Sequence, residues 1–343
     1  MRMGARSGEY GSLRRVDGIG APFFVLGLPL FLSACSGRQS ALDVAGEDAA
    51  AISLLFWVMF GAACLLWVAM NGLFFFLSRI RPGQFPDSYV QPLLIGGGIL
   101  LPTVLLTALL VWGLGLLPDQ RAPGDGLRIK VTGEQWWWRV EYWPEGAEAP
   151  VVTANEIRMP VGERVEFLLG ADKVIHSFWI PSLGGKMDMF PGRETRVSLR
   201  AERTGVFRGQ CAEFCGASHA WMAFETVAME PDTFDAWLDA EAGDALMPEE
   251  GAATRGAALF LSQGCGACHT IRGTEAVGQV GPDLTHVGGR LSLGAGRMGV
   301  SAADFTRWIG HTEALKPEVQ MPSYDFLSTE ELDDLAHYLV GLK

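Results

Sequence analysis

Five side chains able to bind a soft metal stand close together in the middle of this sequence. Cys211 and Cys215 lie four apart in Gln210-Cys-Ala-Glu-Phe-Cys-Gly-Ala-Ser-His-Ala-Trp-Met222, His219 follows four residues later, and Met222 three beyond that. His176 lies 35 residues before Cys211, in Val174-Ile-His-Ser-Phe-Trp-Ile-Pro181. Two thiolates, two imidazoles and a thioether make a donor set suited to copper. Zinc also accepts two cysteines and two histidines, but it would leave the methionine unused.

A second group, Gly264-Cys-Gly-Ala-Cys-His269, has the spacing of a covalent c-type heme attachment. Cys265 and Cys268 would bond the heme vinyl groups and His269 would ligate the iron. A helical pattern precedes the group, and Met321-Pro322 comes before a terminal helical run. The chain has six cysteines. The pairs Cys211/Cys215 and Cys265/Cys268 are flanked by histidine, so they read as metal chemistry rather than as disulfides, even in an exported protein. Cys64 falls in an apolar run, and Cys35 ends a leader-like segment.

The elements that must position these groups divide the chain. From Leu127 to about Ala240 the pattern is β-like: Leu127–Thr132, stretches within Asn155–Leu169, and Glu194–Leu199 alternate apolar and polar residues. Short strands at this spacing predict a sandwich or barrel. Phe234–Ala240 reads as a short closing helix. Glu241–Gly251, acidic and rich in small residues, reads as a linker. Beyond it Ala252–Gln263, Ala302–Gly310 and Ser328–Leu342 read as helices, the last opened by a capping box of Ser328 and Glu331. The expected domains are therefore 127–240 and 252–343.

Ahead of them, Ala49–Ser78 and Ser88–Pro118 contain no charged residue. Each is long enough to cross about 30 Å of hydrocarbon as a helix, which places two transmembrane helices in 49–118. Residues 1–34 read as a secretory signal: Arg14 and Arg15, an apolar run, then Leu32-Ser33-Ala34-Cys35. The end of that signal resembles a bacterial lipobox, with Cys35 lipidated; an ordinary signal with an incidental cysteine is the alternative. Arg79 and Arg81 between the spans favour a cytoplasmic loop. Everything after Pro118 is then expected on the outer, periplasmic face of a bacterial inner membrane, with lipid as a partner. The formal net charge of −12 argues against a nucleic-acid partner.

The copper stretch resembles subunit II of the heme–copper cytochrome oxidases, whose CuA centre holds two coppers on a cupredoxin β-barrel. Residues 252–343 resemble class I cytochrome c, an all-α fold. The order of parts is similar to the oxidase subfamily in which a cytochrome c is fused to the tail of subunit II. The resemblance implies that Cys211 and Cys215 bridge both coppers. His176 and His219 would cap one copper each, with Met222 and the Glu213 carbonyl as weak axial ligands. It also implies that the Glu213 carboxylate reaches a magnesium (or manganese) ion at the large-subunit interface; a solvated acid is the plain alternative.

Trp136, first of the tryptophans in Gly133-Glu-Gln-Trp-Trp-Trp-Arg-Val-Glu-Tyr142, matches the family's electron-accepting tryptophan above the copper, with packing as the alternative. The loop Gly184-Gly-Lys-Met-Asp-Met-Phe-Pro-Gly-Arg193 resembles the family's contact with the large subunit, and its Met187 and Met189 are not expected ligands. On the heme side, Met321 is the expected second axial ligand, with Met298 and His311 as competitors. The carbonyl of Pro282 would accept from the His269 ring. The implied partners are the large subunit bearing heme a and copper B, the other oxidase subunits, and cytochrome c or another reduced donor. The implied function is electron transfer in cytochrome c oxidase, with oxygen chemistry on the partner chain. A CuA-bearing subunit of a nitric oxide reductase and a free-standing membrane-anchored carrier are the rival readings. One departure stands out: Ile95 occupies a position where many family members carry glutamate, which puts that proton route in doubt.

Overall fold

The computed structural model describes residues 36–80, 86–116 and 122–343. The expected signal and lipobox, residues 1–35, lie outside the described residues, as does Arg81.

Alternation governs the first strands. In β1 (Arg128–Glu134) and β2 (Trp137–Trp143) every second residue turns inward. Ile129, Val131, Trp138, Val140 and Tyr142 are completely buried as a result. With β3 (Val151–Ala154), β5 (Arg164–Ala171) and β8 (Thr195–Arg200) they form a five-stranded sheet in the order β3-β2-β1-β5-β8. A second five-stranded sheet runs β4-β10-β9-β6-β7. Its strands are β4 (Glu156–Pro160), β6 (His176–Trp179), β7 (Met187–Met189), β9 (Gly205–Cys211) and β10 (Ala223–Met229). Residues from both sheets share one hydrophobic core. At its centre Phe178 stacks on Phe224 at 5.0 Å, and Trp138 meets Phe224 edge-on at 5.1 Å. Each fully buried side chain of this size contributes about 1.5–3 kcal/mol. The expected sandwich is therefore present, cupredoxin-like in its two sheets packed on one core.

The apolar runs form helices. α1 spans Glu47–Phe75 and widens through Phe76–Ile80; α2 (Asp87–Ile95) continues through Gly96–Leu100 into α3 (Leu101–Gly115). The widened turn at Gly96–Leu100 comes just before Pro102, which has no N–H to give to the helical ladder. The two helical runs, Glu47–Ile80 and Ser88–Gly115, are long and apolar enough to cross a membrane. α1 starts two residues earlier than the uncharged run suggested. Glu47 and Asp48 suit a helix N-terminus, and both pair with Arg164 of β5, at 2.9 and 3.2 Å. The backbone N–H groups of Ala45 and Gly46 donate to the Ser182 carbonyl, so the helix begins fastened to the sandwich.

The last domain is helical. α4 (Pro231–Ala242) closes the sandwich; α5 (Ala252–Ser262), α6 (Ala302–Gly310), the short α7 (Thr312–Leu315) and α8 (Thr329–Gly341) follow. The Ser328/Glu331 capping box forms, and Ser301 with Asp304 makes a second one ahead of α6. α5 crosses α8 at Gly256, where a Cβ would run into the Asp334 carbonyl. Phe260, Phe305, Ile309, Leu335 and Leu339 fill the core between these helices.

The linker reading needs correction at its first residues. Glu241 belongs to α4 and is buried, its carbonyl accepts from Arg272, and Ala245 donates its N–H to the Arg272 carbonyl. Small acidic residues look like a free tether in sequence. Here an arginine from the helical domain satisfies their backbone and draws the segment into the interface.

Candidate metal and heme sites

Strand register brings the soft donors together. β6 and β9 pair Phe178 with Cys211, so His176, two residues earlier on β6, lies beside the end of β9. The Ala212 N–H donates to the Ser177 carbonyl and the Cys211 N–H to the Met222 carbonyl, which folds the β9–β10 loop back on itself. The Cys211 and Cys215 sulfurs then stand 3.8 Å apart. His176 Nδ1 is 3.7 Å from Cys211 Sγ and His219 Nδ1 is 3.5 Å from Cys215 Sγ. Met222 Sδ is 3.8 Å from Cys215 Sγ, and the Glu213 carbonyl oxygen is 3.1 Å from Cys211 Sγ. All six expected donors therefore converge.

These residues fit a copper site. His176 is fully buried, and its Nε2 has no hydrogen-bond partner. Hydrogen bonding therefore does not account for the burial of this imidazole, whose Nδ1 faces a sulfur. Gly133 of β1 makes room for the ring: a Cβ there would lie 2.8 Å from His176. Hydrogen bonding from the Cys215 thiol holds Cys211 far below its ordinary value, against its own burial, while the same contact and burial push Cys215 up. The Glu213 side chain is exposed, consistent with either role expected of it.

Trp136 is 4% exposed and packs in the sandwich core, and its indole N–H donates to the Cys215 carbonyl at 3.0 Å. The packing role is real, but so is the contact with the copper loop. Gln135, which carried no sequence signal, donates to the same carbonyl at 2.9 Å.

The heme residues surround a cavity of about 1370 Å³, counting its open mouth. Cys265, Cys268, His269, Pro282 and Met321 line it, with apolar walls from Phe260, Leu293, Phe305 and Leu335. Met298 and His311 do not line it. His269 Nδ1 is 2.8 Å from the Pro282 carbonyl. Burial lowers the pKa of His269; the carbonyl can only accept, so Nδ1 carries the donated hydrogen and Nε2 is left for iron. Gly281 makes room for the ring: a Cβ there would lie 2.5 Å from His269 Cε1. The cavity also reaches Trp136 and Lys316. None of Cys211, Cys215, Cys265 and Cys268 forms a disulfide.

A cluster of soft donors on a sandwich and a cavity lined by the heme-attachment residues in a helical domain suit an electron-transfer protein. Residues 127–229 match the family described as cytochrome c oxidase subunit II, periplasmic domain, and residues 253–343 match cytochrome c. Cytochrome c oxidase subunit 2 of Alkalihalophilus pseudofirmus is 34% identical, over 92% of this chain and 95% of its own length. The Bacillus subtilis subunit 2 is 30% identical over the same shares, 92% and 95%. The solved periplasmic domain of cytochrome oxidase subunit II from Bradyrhizobium japonicum, 30% identical, covers 35% of this chain and 96% of that chain, with a TM-score of 0.31. This chain belongs to the cytochrome c oxidase subunit 2 family, and as such is a part of the oxidase enzyme complex.

Proposed function

We propose that this chain takes electrons from a reduced cytochrome c or another donor onto heme c, passes them through a dinuclear copper centre, and delivers them to a large subunit bearing heme a and copper B, where oxygen is reduced to water. When bound, each group supplies reversible one-electron chemistry. The chain's own residues hold the groups and set the path between them. Cys211 and Cys215 would bridge the coppers, with His176, His219, Met222 and the Glu213 carbonyl completing the set. The Glu213 carboxylate would reach a magnesium ion at the large-subunit face. Cys265 and Cys268 would bond the heme, with His269 and Met321 as axial ligands; a thioether there raises the potential. Two helices would anchor the chain in a bacterial inner membrane with both centres on the periplasmic side.

One observation carries the reading. Trp136 lines the cavity that holds the heme-attachment residues while its indole N–H donates to the Cys215 carbonyl. A single side chain thus touches both candidate sites. The test is stopped-flow mixing of the copper- and heme-loaded chain with reduced donor. Heme reduction should come first and copper reduction after it. Copper reduced ahead of heme would overturn the order, and a metal assay that finds one copper, or zinc alone, would sink the copper assignment.

A further inference from the structure

Lys316 is a lysine buried where the two domains meet, and the metal sites described above do not use it. It follows α7 and is 2% exposed. Its ammonium donates to the Trp136 carbonyl at 2.6 Å, the Gly294 carbonyl at 2.7 Å and the Trp221 carbonyl at 2.9 Å. The first of these belongs to the β1–β2 connection, the second to the helical domain, the third to the copper loop. An ammonium has three hydrogens, and each has a partner.

Burying an ammonium is costly unless it is well satisfied. Burial pulls Lys316 down to about 7, with Cys215 opposing this and Arg297 adding to it. An apolar residue would fill the same space without burying a charge, so packing alone does not explain the lysine. What the ammonium alone provides is a cross-link among three backbones. The surrounding segment is clasped in the same place. The Ser218 hydroxyl donates to the Pro317 carbonyl at 2.6 Å, Val319 packs on the sandwich core, and Arg297 lies 4.2 Å over the Trp221 ring while donating to the Leu315 carbonyl.

We propose that Lys316 is a positioning residue that locks Trp136 and the copper loop onto the heme domain in one geometry, and so sets the rate of electron exchange between the two centres. This rests on the electron route of the preceding section. The rest of the interface does not depend on Lys316. Arg272 donates to the Val152 carbonyl at 3.2 Å, Arg290 to the Thr153 hydroxyl at 3.3 Å, and the Leu291 N–H to Glu156 at 2.7 Å. Those contacts keep the domains docked when the lysine is removed, leaving Trp136 free to shift.

The experiment uses the full chain loaded with copper and heme, with the Lys316→Met and Lys316→Gln variants. An electron is photoinjected and its exchange between heme and copper is followed, alongside both spectra, both potentials and amide hydrogen exchange. Small misplacement of reacting groups costs rate steeply, so exchange should slow roughly tenfold or more. Amide exchange should quicken at Gln135–Trp138 and His219–Met222, while both spectra stay as in the parent; the measured potentials give the driving force against which each rate is compared. An electron-exchange rate within about twofold of the parent overturns the proposal. So does a slower rate without quicker amide exchange, or loss of either prosthetic group in both variants, which would make Lys316 a folding residue only. No heme-to-copper exchange in the parent chain would overturn the functional reading itself, a result distinct from any of these.

Discussion

Replacing Gly281 by alanine tests how tightly the helical domain presets its heme-ligating histidine. The new Cβ would lie 2.5 Å from His269 Cε1 and 2.8 Å from Nδ1. Carbon contacts in packed interiors settle near 3.5 Å, so the ring or the backbone must give way by roughly 1 Å. The ring is also held by the 2.8 Å hydrogen bond to the Pro282 carbonyl, on the residue next to the substitution. A displacement of that size takes the bond beyond hydrogen-bonding range. Overpacking costs about 1–3 kcal/mol and the lost hydrogen bond about 1 kcal/mol. Together they predict about 2–4 kcal/mol of destabilisation of the heme-bound domain. Denaturant unfolding of the full heme-loaded chain, followed by heme absorbance, measures this directly. Proton NMR of the paramagnetically shifted heme and axial-ligand resonances reports the ring's orientation. Parent-like stability with unchanged shifted resonances would refute the argument, because it would mean that the gap is not needed to seat the ring.

Gly133→Ala should do the same to the copper side, since its Cβ would meet His176 at 2.8 Å; the expected result is weaker copper retention and an altered mixed-valence spectrum, read by electron paramagnetic resonance. Met321→Ala should shift the heme potential and leave the copper spectrum unchanged, whereas Met298→Ala, away from the cavity, should shift neither; a potential shift in the second variant would exchange the ligands. Mass analysis of the membrane-extracted protein should find Cys35 lipid-modified at the N-terminus, and an unmodified start elsewhere would return the leader to an ordinary signal. A reporter active only outside the cytoplasm should work when fused after Leu127 and fail within Arg79–Asp87; activity in that loop would invert the topology.

The parts of this protein that sequence alone determined are those governed by local rules. Alternation in Arg128–Glu134 marks a strand because side chains of a strand point to opposite faces by turns. Ser328 with Glu331 marks a helix start because both partners lie within one turn. The spacing of Cys265, Cys268 and His269 carries its chemistry for the same reason: one loop brings all three into the cavity. The uncharged runs before Pro118 needed only counting, although the ends of α1 did not, since Glu47 and Asp48 are held by Arg164, 116 or more positions away.

Tertiary structure decided what depends on pairing between distant segments. His176 reaches Cys211 through the β6–β9 register, and Gly133 clears its ring from a strand in the other sheet. Composition made Glu241–Gly251 look like a free tether, but Arg272 binds its first residues into an interface. Lys316 shows the limit most plainly. It lies 180 positions from Trp136, in a stretch with no motif, and nothing about a lysine before a proline signals burial. A charge buries itself only where the fold supplies partners for all of its hydrogens, and those three carbonyls meet only after two domains have folded and docked.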